Sequence, residues 1–124
     1  MNKGLILNEI ANEIFEQNKA VGWWSDLTTG ESIVDTRNVG EVIALIHSEI
    51  SEALEGHRKD LMDDHLPHRK MVEVELADAM IRILDFAGAK KYDIGGALFE
   101  KLEYNKNRAD YKIENRILDN GKKI

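Results

Sequence analysis

The chain contains no cysteine. That excludes a disulfide framework and a thiolate metal site, and it is compatible with a reducing interior. Proline occurs once, at Pro67, and the apolar segments contain little glycine, so few helix breakers interrupt them. The longest purely apolar run, Val42 to Ile46, has five residues. A membrane-spanning helix needs about 20. There is no basic surplus either: the net charge is −6. Duplex nucleic-acid binders normally carry a positive excess, so a nucleic-acid partner is disfavoured. The N-terminal "MNKGLILNEIANE" has a short apolar patch followed at once by acidic residues and lacks a small-residue cleavage site. No signal peptide is expected, and the expected location is cytoplasmic. Neither a glycine-rich phosphate loop nor a serine-nucleophile motif is present.

What is present fits one helical domain. The chain has 124 residues, 43% of them hydrophobic and 32% charged, a mixture typical of a folded globular chain. Leu7, Ile10, Ala11, Ile14 and Phe15 recur at three-four spacing and predict a first helix over about 4–19. The stretch from 20 to 38 reads as a long loop, a length often used for lids or binding loops. Its adjacent Trp23 and Trp24 fit either a ligand-stacking role or a core plug. Asn38 can cap a second helix that runs to about Lys59. Pro67 suits the first turn of a third helix, expected over 68–90. That helix is apolar on nearly every side, which implies burial in something larger than one copy of this chain, hence an oligomer. Asp93 can cap a fourth helix over about 94–109. The expected organisation is a single domain over 1–110. The tail over 111–124, with Ile113, Ile117 and Leu118, either packs on a partner subunit or frays.

Acidic residues stand where apolar ones belong. In "HSEISEAL", Val42, Leu45, Ile46 and Ala53 form a stripe, and at about 100° per residue Glu49 and Glu52 fall inside it. The third helix repeats the anomaly in "ELAD", where Glu75 shares a face with Met71, Val72, Ala79 and Phe86 and Asp78 follows three residues on. A short connection makes these two helices an antiparallel hairpin, and the four carboxylates can meet across it. Without a counter-ion such a meeting is unfavourable. Oxygen-only ligands with no cysteine select hard cations such as Mg²⁺, with Mn²⁺ as a substitute. A single E-x-x-E is weak, because it is usually a solvated face. Two pairs on apolar faces of neighbouring helices carry more weight. On the fourth helix Lys101, Asn105 and Arg108 form one stripe that suits phosphate oxygens and a ribose or base edge; a solvated face is the plain alternative. His47, His65 and His68 read as surface residues.

"EISE", a spacer of 22 residues, "ELAD" and then "KLEYNKNR" together resemble the MazG-like family of all-α nucleoside triphosphate pyrophosphohydrolases. The upstream "RNVGEVIALIHSEISEAL" is also similar to the family's lead-in. The resemblance spans roughly 37–109. It implies a four-helix, bundle-like fold with a central antiparallel hairpin, assembled as a homodimer or homotetramer. It implies that Glu49, Glu52, Glu75 and Asp78 ligate Mg²⁺. It also implies that Lys101, Asn105 and Arg108 contact the nucleotide, with Asn38 near the base or sugar. Ser48 and Ser51 stand where many members have glycine, and the 21–37 loop matches no family pattern.

The expected reaction converts a (deoxy)nucleoside triphosphate and water to the monophosphate and pyrophosphate. A metal-activated water would attack the α-phosphorus, with Glu49 or Glu52 as base, and Lys101 and Arg108 would neutralise the leaving pyrophosphate. Trp23 or Trp24 would stack on the base. The rival reading is a non-catalytic helical oligomerisation module whose acids pair with Arg82 and lysines.

Overall fold

The computed structural model describes residues 1–124 and is all-helical. Five α-helices occur: α1 (Lys3–Ala20), α2 (Val39–Lys59), α3 (Met71–Lys90), α4 (Ile94–Lys106) and α5 (Ile113–Arg116), with a 3₁₀ turn at Ala109–Tyr111 before α5. There is no strand, only two isolated bridges, Ser25 with Ser32 and Met62 with Lys70. No helix is long and apolar enough to cross a membrane.

The chain divides into two compact units. One comprises Glu9–Tyr92, the other Met1–Asn8 with Asp93–Ile124.

In the Glu9–Tyr92 unit, α2 and α3 form the main helix pair. They run antiparallel, since Gly56 lies against Met71 while Glu49, two turns earlier, pairs with Arg82, three turns later. Asn38 caps α2, its side chain accepting from Glu41 N at 3.0 Å. The helix ends with Asp60 in the left-handed region (φ 48°), its N–H returned to the Gly56 and His57 carbonyls. α3 starts at Met71, not at 68. The reason is Asp63, whose buried carboxylate accepts from His65 N and Leu66 N. That Asx turn, together with Asp63 N donating to Arg69 O, commits residues 63–69 to a turn. Pro67 sits inside it and opens no helix.

The core of this unit gathers Phe15 of α1, Trp24 of the loop and Ala89 of α3, flanked by Val34 and Phe86. Trp24 is 1% exposed, and its ring meets Phe15 edge-on at 6.0 Å. Lys90 Nζ donates to Val34 O at 2.7 Å and ties the loop down. Gly88 makes this packing possible. A Cβ there would stand 2.6 Å from the Ala11 carbonyl oxygen, and a backbone atom cannot step aside as a flexible side chain can.

In the other unit, Asn8 bridges to the start of α4. Its amide donates to Asp93 Oδ1 and accepts from Gly95 N, both at 2.8 Å. Asp93 caps α4 by accepting from Gly96 N. Gly95 crosses directly over Gly4, where any side chain would meet the Gly4 carbonyl. α4 stops at Lys106, three residues short of the predicted end. Asn107 is its C-cap, and Arg108 is already extended (ψ 134°).

Candidate metal centre

The hairpin brings the two acidic pairs together. One carboxylate oxygen from each of Glu49, Glu52 and Glu75 lies within 4.8 Å of the other two. Asp78 is not in that trio; it is half-buried one turn along α3 and lines, with Glu49, the cavity described below. Burial is uneven. Glu75 is 9% exposed and the Glu49 side chain 12%, whereas Glu52 is exposed at the rim. α2 thus contributes one half-buried and one exposed acid to the trio.

Three ionised carboxylates at this spacing repel. At about 5 Å and an effective dielectric near 20, each pair costs roughly 3 kcal/mol, less for pairs that include the solvated Glu52. The cluster responds by holding a proton. Burial, followed by hydrogen bonding to Glu49 and Glu52 and their charges, pushes the Glu75 carboxyl from its ordinary 4.5 up to about 8. Glu49 goes the other way. Burial works to raise it, but the Arg82 guanidinium and hydrogen bonds with Glu75 and Glu52 together hold it below the usual range. Burial, then the Glu49 charge, raises Asp78.

The residues present fit a hard divalent cation. All donors are carboxylate oxygens, and the spacing lets them share one ion. Glu75 Oε2 is buried and has no hydrogen-bond partner, an expensive state for a polar atom unless something binds it. Opposing this, Arg82 Nε donates to Glu49 Oε1 at 2.8 Å. That ion pair already gives Glu49 one cationic partner.

The Glu75 shift has a consequence for stability. A carboxyl whose folded value is raised stabilises the fold fully below its unfolded value and loses that contribution as pH rises through the folded value. The metal-free protein is therefore expected to lose melting temperature between about pH 4.5 and 8, with a slope from this group of at most about 1.4 kcal/mol per pH unit. Glu75→Gln should flatten the decline. A mutant that declines in parallel with the wild type would show that Glu75 is not its source.

The remaining expected residues lie as follows. Asn38 is exposed and serves as the α2 cap. Trp24 has no ring face open to a ligand: the Arg37 guanidinium lies over it at 4.7 Å and Phe15 meets it edge-on. Trp23, 65% exposed, keeps an open ring. Lys101, Asn105 and Arg108 belong to the other unit. There Lys101 Nζ sits 4.5 Å over the Tyr104 ring, and Asn105 Oδ1 is buried and unpartnered. Arg108, past the end of α4, is off the helical stripe; it forms a bidentate pair with Asp110 at 2.7 and 3.0 Å and stacks on Tyr111. Glu55 points away from the trio and pairs with Lys59 and Arg58. His47, His65 and His68 are exposed.

Sequence reasoning missed a cavity of about 540 Å³ beside the acids, whose walls include Asn18, Trp23, Arg37 and Asp85 as well as Glu49 and Asp78. Asp85 Oδ1 accepts from the Trp24 indole N–H at 2.9 Å. A signal for it existed: Asp85 is seven residues after Asp78, on the same helix face.

Compared with protein-family models, curated proteins and solved structures, the chain matches none.

Proposed function

We propose that the protein is a divalent-cation-dependent nucleoside triphosphate pyrophosphohydrolase, as the MazG-like resemblance implies. The observation that supports this best is the buried, unpartnered Glu75 Oε2 within a trio of carboxylates spaced for one cation. A buried acceptor of that kind needs a proton or a cation, and the trio offers the ligand type that Mg²⁺ or Mn²⁺ takes. A bound cation would hold the triphosphate and acidify a water. Glu49, Glu52 and Glu75 would hold the cation, with Asp78 completing the set. Glu52, exposed at the rim, is the acid best placed to take the proton of the attacking water; Glu49 is tied to Arg82. As the water oxygen bonds to the α-phosphorus, the bond to the bridging oxygen breaks and pyrophosphate leaves. The resemblance gives Lys101, Asn105 and Arg108 a nucleotide-contacting role; Arg108 is paired with Asp110.

A bundle-like, oligomeric assembly in the cytoplasm belongs to the same proposal. Ile43, Ile50 and Leu54 on α2 and Leu76, Met80 and Ile83 on α3 are each 39–59% exposed. Two helical stripes of this size are costly to leave in water and fit a second copy.

The Arg82–Glu49 ion pair favours a second reading, a non-catalytic module whose acids serve only to pair with bases. One assay separates the two. The protein is incubated with each common NTP and dNTP plus Mg²⁺, and pyrophosphate is measured. Release from at least one nucleotide is expected. No release from any, together with no thermal stabilisation by Mg²⁺ or Mn²⁺, would leave the module reading standing.

A further inference from the structure

The cavity next to the acids has a feature that metal binding does not use. Its wall also carries Asp85, a partly buried carboxylate with no salt bridge, held by the indole of the fully buried Trp24. Placing an acid there has a cost. Burial raises its proton affinity against the pull of Trp24, Asn18 and the two nearby arginines. A core tryptophan that needed only a hydrogen-bond acceptor could have used a neutral one. The cavity also has the dimensions of a small-molecule site, which typically measures about 300–1,000 Å³. Leu45 and Ile81 give it an apolar side, and the exposed ring of Trp23 stands on its wall. Glu49 and Asp78 line it too, so it opens from the acidic cluster.

The donor and acceptor pattern limits what can fill it. A carboxylate accepts through both oxygens and retains acceptor capacity after one indole bond. Asn18, on the same cavity wall, carries a carbonyl oxygen that is a further acceptor. This wall therefore asks its ligand for hydrogen-bond donors. The Arg37 guanidinium, which lies over the Trp24 ring, and that of Arg82, also on the cavity wall, offer donors in return. A flat group with an exocyclic amino group beside a ring nitrogen or carbonyl meets both. Cytosine, adenine and guanine carry such edges. Uracil and thymine put a carbonyl oxygen where cytosine has its amino group, hypoxanthine does so relative to adenine and xanthine relative to guanine, and these oxygens face acceptors.

We infer that this cavity binds the base of the nucleotide and that Asp85 selects bases bearing an exocyclic amino group over their oxo counterparts. The inference rests on the nucleotide reading above and deepens it by naming the substrate class. A site that hydrogen-bonds a polar group discriminates strongly against the analogue lacking it, because its own buried groups are left unpaired.

The test uses 5′-monophosphates without metal, in EDTA, with tryptophan fluorescence as readout, so it is independent of any pyrophosphate release. The matched pairs are dCMP with dUMP, dAMP with dIMP, and dGMP with dXMP, with dTMP added. The expected result is that the tightest binder carries an amino group and its oxo partner binds at least fivefold more weakly. In Asp85→Asn, which keeps an acceptor for the Trp24 indole and adds a donor, that ratio should fall to near one or invert. The wild-type ranking alone can overturn the inference. A tightest binder with no amino group, a ratio below fivefold, or no binding at all would each do so, as would an unchanged ratio in folded Asp85→Asn. Selective monophosphate binding with no pyrophosphate released from any triphosphate would uphold the base pocket and sink the hydrolase.

Discussion

Glu52→Gln is expected to lower pyrophosphate release by about 10²–10⁴-fold, the usual contribution of a general base, while leaving the melting temperature of the metal-free protein nearly unchanged. The expectation follows from the position of the residue. Glu52 is exposed, yet one of its oxygens is within 4.8 Å of oxygens from Glu49 and Glu75. It packs against little, so its loss removes little from the fold. The substitution also takes one negative charge from a crowded cluster, which if anything relieves the folded state. Turnover near wild type in Glu52→Gln would mean that the ligand and base assignment is wrong. A large drop in both turnover and melting temperature would instead mean that the residue is structural.

Trp24→Ala should produce the largest loss of stability in the chain. Removing a fully buried tryptophan typically costs about 3–5 kcal/mol, and here the loss is compounded. The indole fills the space between Phe15 and Ala89, supports the Arg37 guanidinium and donates to Asp85. Without it, a partly buried carboxylate loses its donor. At roughly 3–6 °C per kcal/mol for a domain of this size, the melting temperature should fall by at least about 10 °C. Trp23→Ala, at an exposed position, should shift it by about 2 °C or less. Equal shifts for the two would contradict the placement of Trp24 at the centre of the core.

The helices themselves were legible in the sequence because their signals are local. Three-four spacing, Asn38 and Asp93 as caps, and the scarcity of breakers place α1, α2 and α4 to within a residue or so at their starts. The errors came where a side chain competed with the helix. Asp63 turns the chain through its own carboxylate and delays α3 to Met71, overriding the helix-start signal of Pro67. Asn107 ends α4 early and takes Arg108 off the predicted stripe. In the candidate site, Glu49 and Glu75 were visible as acids on apolar faces, and their meeting followed from the hairpin. Glu52 lies at the edge of the same stripe, and periodicity cannot resolve an edge from an interior. Asp85 carried only its seven-residue spacing from Asp78 as a signal. Its partners Trp24, Asn18 and Arg37 come from α1 and the 21–37 loop, and no spacing rule connects residues that only the tertiary fold brings together. Trp23 and Trp24 were indistinguishable by residue type, and only packing separates them.

The central claim is that Glu49, Glu52 and Glu75 form a cation site. Isothermal titration of Mn²⁺ into the metal-free protein at pH 7.5, alongside Glu75→Gln, tests it most directly. Saturable binding to the wild type, with protons released as Glu75 ionises, and affinity at least tenfold weaker in the mutant, is the expected result. No saturable binding, or equal affinity in both proteins, would contradict it.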